Sequence, residues 1–190
     1  MPSPPVHWHE GMYLRPQHLQ ADQRAGDDRA DRLATTLVPY AWGCRTLVID
    51  ADALANNRFV VRRLTARLPD GSLVALPEDG TPAPLDLKAS LDKQPVVTVF
   101  LAVPVLRAGR GNVAEDTPNP LARYTIAALD LDDENTGGDP EPVVVRRLNL
   151  QLLPSDRDAA GYAVLPLAKV ERSDLMGSRG WPAGIPPVLA

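Results

Sequence analysis

Proline and glycine punctuate this chain more than any other feature: 20 prolines and 13 glycines fall within 190 residues. That is roughly 17% of the positions, where soluble proteins average about 12%. Each proline removes a backbone donor and fixes φ, and glycine is at home in turns, so the pattern favours many short elements over a helical bundle. One stretch escapes it. Pro16–Leu37, PQHLQADQRAGDDRADRLATTL, is rich in Gln, Ala, Arg and Leu and carries proline at its first position, which predicts the one long helix. Gly26, Asp27, Asp28 and Asp31 weaken it. Its apolar stripe is thin, anchored by Leu19, Ala30, Leu33 and Leu37, as expected of a helix lying on a surface or against a partner.

From Tyr40 onward the pattern is β. Arg45 to Asp50 has an apolar strand centre, and residues 58–68, Pro69-Asp70-Gly71 and residues 72–76 read as two strands joined by a glycine-containing turn. Strict alternation puts Val60, Arg62, Leu64, Ala66 and Leu68 on the core side, with Phe59, Val61, Arg63, Thr65 and Arg67 opposite. Arg62 fits that face poorly. Residues 96–105 form a nearly continuous apolar run ending near Pro104, the signature of a central strand covered on both sides. Residues 85–91 are ambiguous, 107–120 read as loop, 124–131 as strand and 132–142 as an exposed acidic loop. One further strand is expected over 143–153, with Leu148, Leu150 and Leu152 alternating against Arg147, Asn149 and Gln151, and another over 162–170. Six to eight short strands with one N-terminal helix predict a sandwich or a partly open barrel. The expected divisions are a lead-in and helix over about 1–37, a single sandwich domain over about 38–172, and a proline-rich segment over 173–190.

With 44% hydrophobic and 23% charged residues, the composition is that of a folded soluble chain. A net charge of −4 supplies no global basic field for nucleic acid or an anionic membrane surface. A lone cysteine, Cys44, cannot form an internal disulfide and suits a reducing compartment. The first residues show neither a basic n-region nor an apolar h-region, and the longest apolar run is too short for a bilayer; a cytoplasmic location without membrane insertion is expected.

No catalytic set emerges. All three histidines fall in one string, His7, His9 and His18; a metal-dependent hydrolase would need His18 to return from the helix start, and the i, i+4 pair of a helical zinc motif is missing. Cys44 sits in an apolar neighbourhood, no serine lies in a nucleophile elbow, and Gly109-Arg110-Gly111 lacks the lysine and hydroxyl of a phosphate loop. The paired acids, Asp27-Asp28 and Asp132-Asp133-Glu134, lie in polar segments and read as solvated charge. The expectation is a non-enzyme with no cofactor and no metal.

The N-terminal string is the unusual one. Val6-His7-Trp8-His9-Glu10-Gly11-Met12-Tyr13-Leu14-Arg15-Pro16-Gln17-His18-Leu19-Gln20, with Asp22 and Arg24 after it, resembles the opening of the TssK family of type VI secretion system baseplate subunits. Shorter matches follow in the family's order: Pro39-Tyr40-Ala41-Trp42-Gly43, Leu47-Val48-Ile49-Asp50, Leu68-Pro69-Asp70-Gly71, Leu165-Pro166-Leu167-Ala168 and Ile185-Pro186-Pro187-Val188-Leu189. Asn56-Asn57 stands where the family tends to carry glycine, a place asparagine can fill in a left-handed conformation.

The resemblance implies a mainly β fold, a β-sandwich akin to the shoulder domain of siphophage receptor-binding proteins with an N-terminal helix. It covers the family's N-terminal domain only; the trimerising neck and the head that reaches the membrane complex have no counterpart in these residues. It further implies a structural adaptor that docks on the TssF/TssG wedge and, in the full-length protein, links the baseplate to TssL and TssM. The full-length family is homotrimeric; for these residues alone a monomer or weak trimer is expected. Trp8, Met12, Tyr13, Leu14, Arg15, Gln17, His18 and Gln20 are the candidate partner-binding residues, since the string is rich in types enriched at interfaces. The competing reading for Trp8, Met12 and Leu14 is packing on their own sandwich. A carbohydrate-binding domain is the alternative function, disfavoured by an aromatic content of 5%.

Overall fold

The computed structural model describes residues 3–115 and 119–172. The chain divides into two compact units, Met1–Ala41 and Trp42–Ala190. The first contains α1, Pro16–Leu37, with the bounds read from the sequence. Arg15 is extended at the N-cap, with φ −131° and ψ 156°, and Pro16 follows at N1. The helix stops at Val38, which is extended ahead of Pro39, because a following proline disfavours the helical region. Ala25 is its one buried residue. Ahead of it, residues 3–15 form a strap that doubles back, so that the Ser3 N–H donates to the Asp28 carboxylate halfway along α1.

The second unit runs β1 (Gly43–Ile49), α2 (Ala51–Ala55), β2 (Arg58–Phe59), β3 (Val61–Arg67), β4 (Leu73–Leu76), β5 (Leu85–Asp86), α3 (Lys88–Lys93), β6 (Val96–Pro104), β7 (Val113–Ala114), β8 (Tyr124–Leu131), β9 (Glu141–Leu148), β10 (Gln151–Pro154) and β11 (Tyr162–Glu171). Two three-stranded antiparallel sheets, ordered β1-β3-β4 and β10-β6-β11, enclose one core; β2-β5 forms a two-stranded sheet and β7-β8-β9 a third three-stranded one. Leaving out the three two-residue strands, the count matches the expected range. Alternate side chains of β6, Val97, Val99, Leu101 and Val103, are wholly buried and join Leu64, Val74 and Leu76 from the other sheet and Leu165 and Leu167 from β11.

The alternation expected along residues 58–68 is corrected by a bulge. Val48 pairs with Arg63 and Ile49 with Val61, so Arg62 is an extra residue that β1 does not match. An inserted residue switches the face on which later side chains emerge. Phe59 and Val61 before it are therefore buried together with Leu64, Ala66 and Leu68 after it. Arg62 is extruded, and its guanidinium grips the Asp50 carboxylate through Nε at 3.0 Å and through Nη2. The same carboxylate caps α2 by accepting from the Ala53 N–H at 3.0 Å. The β3–β4 turn matches expectation: Gly71 has φ +86°, and the Leu68 N–H bonds the Ser72 carbonyl at 2.8 Å. Asn57 takes the left-handed conformation, φ +57°, as expected of that turn.

Three further segments differ from the sequence reading. Ambiguous residues 85–91 divide between β5 and the start of α3. The expected loop 107–120 contains β7, which pairs in parallel with β8 at Tyr124 and Thr125, and Asn112 folds the approach by bonding the Arg107 N–H and carbonyl, both at 2.8 Å. The single strand expected over 143–153 is two. Asn149 breaks it, its side chain donating to the Ala122 carbonyl at 2.9 Å, so β9 pairs with β8 while β10 enters the core sheet. The proline-rich segment 173–190 lies outside the described residues.

Arg123, 11% exposed at its side chain, ties these parts together. It donates to the Pro104 carbonyl at 2.8 Å and the Ser72 hydroxyl at 2.6 Å, and pairs with Asp70 at 3.0 Å. It thereby pins the β3–β4 turn to the end of β6. Two substitutions test this architecture by urea denaturation. Leu101→Ala should cost about 2–5 kcal/mol through the cavity it opens. Arg123→Met should cost roughly 2–4 kcal/mol by stranding partly buried acceptors, whereas Val144→Ala on an exposed strand should change stability by about 0.5 kcal/mol or less.

Candidate docking surface

The N-terminal string forms the strap and the first turns of α1, and its side chains face outward. Trp8 is 46% exposed, Leu14 59% and Tyr13 80%. Met12 and His18 are half-buried, and Gln17 and Gln20 are exposed. The strap turns at Glu10 and Gly11, where Gly11 adopts φ +78°, a conformation that strains any residue with a Cβ. Arg15 lies with its guanidinium 5.9 Å from the centroid of the Tyr13 ring, within cation–π reach.

Of the three histidines, His18 takes a structural position. The Arg15 carbonyl accepts from the His18 N–H at 3.0 Å, and His18 Nδ1 accepts from the Arg15 N–H at 3.1 Å, a reciprocal pair that satisfies donors at the helix start. The His7 and His9 rings stand 5.8 Å apart and tilted by 34°, with His9 Nδ1 2.9 Å from the Glu10 carbonyl oxygen. Among the described residues, no three His, Cys, Asp or Glu side chains gather into a group able to hold a metal ion. Burial pushes the Cys44 thiol up to about 11, which keeps it protonated and poorly nucleophilic. Asp133, in the acidic loop, accepts from the Asn135 backbone at 2.9 Å and from the Thr136 hydroxyl at 3.1 Å; it shapes a turn.

Helix α1 shows two distinct sides. At 100° per residue, Ala21, Ala25, Asp28 and Arg32 lie together, and Leu19, Gly26, Ala30, Leu33 and Leu37 lie roughly opposite. The second group is the predicted stripe of Leu19, Ala30, Leu33 and Leu37 with Gly26 beside it, and Leu19, Leu33 and Leu37 are each at least 60% exposed. Between strap and helix a cleft of about 360 Å³ is lined by Ser3, Pro5, Ala25, Arg29, Leu33 and Thr36, with Arg32 at its side. Neither the Ser3–Asp28 tie nor the cleft was readable in the sequence, because an extended segment carries no periodicity that says what it will lie against. What the arrangement offers chemically is contact: exposed aromatic and aliphatic groups beside exposed guanidinium groups, in a unit that buries almost nothing of its own.

Comparison with known proteins follows from this geometry. Residues 18–190 match the family described as bacterial type VI secretion, EvfL, ImpJ, VasE. The chain belongs to that family. The match begins at His18, so the strap precedes it. The type VI secretion system baseplate component TssK1 of Pseudomonas aeruginosa is 32% identical over 169 residues, 87% of this chain and 37% of that protein. A chain of the type VI secretion TssK-TssF-TssG baseplate subcomplex, solved by cryo-electron microscopy, superposes with a TM-score of 0.81 at 26% identity, covering 90% of this chain and 57% of that one. The crystal structure of TssK gives 0.79 at 28% identity, covering 89% and 40%. This chain thus spans well under two thirds of the length of these family members. The mainly β fold with an N-terminal helix is theirs as well. No helix among the described residues is long and apolar enough to cross a membrane.

The strap's attachment should depend on pH. The Asp28 carboxyl is held below its ordinary value of 3.8, chiefly because it accepts the Ser3 N–H, with the Arg32 charge assisting. A depressed value means that the carboxylate's contribution is fully present above about 3.8 and is lost as pH falls through the lower, folded-state value. Acidification below that point, or Asp28→Asn at neutral pH, should raise amide exchange in residues 3–15 while leaving β6 protected.

Proposed function

We propose that this chain is a structural adaptor module of the type VI secretion baseplate that docks, through the strap and α1, on the TssF/TssG wedge. The observation that carries the reading is the outward display of Trp8, Tyr13, Leu14 and Arg15 on a unit whose one buried helix residue is Ala25. Such a display of large apolar and guanidinium groups suits a partner's pocket better than water. Family membership supplies the machine, and the subcomplex that contains a matching chain supplies the partners. The role is one of assembly rather than catalysis, on the cytoplasmic side. In a longer family protein, the link to TssL and TssM would belong to parts beyond the residues described.

Binding to co-expressed TssF/TssG tests the proposal, with Trp8→Ala, Leu14→Ala and Arg15→Ala combined in one variant and folding followed by thermal melt. A folded variant should bind at least about tenfold more weakly than wild type, since such anchors commonly contribute more than 1 kcal/mol each. Equal binding would move the interface to the sandwich, and a variant that no longer folds would make the string part of the core.

A further inference from the structure

The sheet β1-β3-β4 has one side in the core and one outside it. Leu64, Ala66 and Val74 point inward and are buried. Alternation and register place Thr46 and Val48 of β1, Arg63 and Thr65 of β3, and Leu73 and Ala75 of β4 on the other side. Val48 is 47% exposed there and Leu73 71%, and Arg63 and Thr65 are exposed as well. Arg45, left unmatched where β1 shifts register, is also exposed. None of these strand positions carries a carboxylate, so the outer side of the sheet combines apolar groups with positive charge.

The β8–β9 hairpin has the complementary character. Leu148 alone of its two strands packs against the core cluster. Register sets Ala128 opposite Val144 and Asp130 opposite Pro142, with Ile126 on the same face. On that face Ile126 is 43% exposed and Val144 68%, whereas Ala127, Leu129 and Val145 on the other are half-buried. Past Asp130 the tip adds Asp132, Asp133, Glu134 and Asp139, with no basic residue among them. An exposed apolar face ending in carboxylates is best covered by an apolar surface of positive charge. Within one copy the two surfaces do not meet, since Arg63, Thr65 and Val144 are all exposed.

We propose that the exposed face of the β8–β9 hairpin lies on the outer side of the β1-β3-β4 sheet of a second copy of this chain, its acidic tip toward Arg45 and Arg63 of the partner subunit. The contact joins faces, and the strand edges take no part in it. Because the two surfaces differ, it runs head to tail and closes as a ring: each copy gives its hairpin to one neighbour and its sheet to another. A ring of three accords with the weak trimer expected of these residues. The contact uses neither the strap nor α1.

Cross-linking between differently marked copies of the 190-residue chain tests it. Val144→Cys marks the hairpin and Thr65→Cys the sheet; both positions are exposed, while Cys44, 3% exposed, is shielded from a short bismaleimide. A mixture of the two variants should give a cross-linked pair about tenfold more abundant than either variant gives alone, and the chain carrying both cysteines should give a three-copy product. Rising salt should lower the yield, because the charges are solvent-exposed. Arg63→Glu in the sheet-marked chain should lower it about tenfold, and Asp130→Arg with Asp132→Arg in the hairpin-marked chain should then recover it, since facing charges are again opposite. Thermal melts of all variants should match wild type, as none of the changed residues is buried. Sedimentation equilibrium of the unmodified chain gives a second reading, in which a trimer should grow with concentration. Hairpin–hairpin products as abundant as hairpin–sheet products, a yield indifferent to Arg63→Glu, association that stops at a dimer, or no association at any concentration would overturn the proposal.

Discussion

The structure of the larger unit depends on burying β6. Its inward side chains are wholly buried, and its backbone is satisfied from both sides, by β10 at Leu152 against Leu101 and by β11 at Leu165 against the same residue. These partners lie roughly fifty to seventy positions further along the chain, so the core closes only when long-range pairs form. β11 meets the demand with a shift between Pro166 and Ala168, which accommodates a proline without a donor and still directs Leu165, Leu167 and Val170 inward. The Arg123 contacts, the β3 bulge and the Asn149 break each place another segment against this strand.

The N-terminal unit follows the opposite rule. Its helix has sound ends, with a proline at N1, a reciprocal Arg15–His18 cap and an extended stop before Pro39, but almost no core. Most helices draw their stability from an apolar face pressed on something else. Here one face is met by the unit's own strap, Leu33 lines the cleft between the two, and Leu19 and Leu37 are presented outward. The division of labour is physical: the sandwich holds itself together, while the strap and helix keep their contact groups available.

Much of this was legible in the sequence where one interaction dominated locally. The helix bounds, the β3–β4 hairpin, the central strand with Pro104 at its end and the exposed stripe of α1 all follow from periodicity, turn chemistry and proline geometry. The errors came where a single residue changed the count. Arg62 broke a two-residue alternation that was otherwise correct, and the misfit of an arginine on the core face was the visible sign of the bulge. Asn149 divided an apparently continuous strand because its amide is used by a segment some thirty residues earlier, a tertiary bond with no local signal. The docking residues were readable as unusual types in an unusual order; their attachment through Ser3 and Asp28 was not.

The near absence of core residues from the β8–β9 stem separates two kinds of substitution. Mutations in Phe59, Leu101 or Leu165 change whether the chain folds, because all three are wholly buried. Substitutions along β9 leave folding almost untouched, so that strand can diverge at the pace of whatever it touches. Two family members could therefore superpose closely through the sandwich and yet assemble through different neighbours.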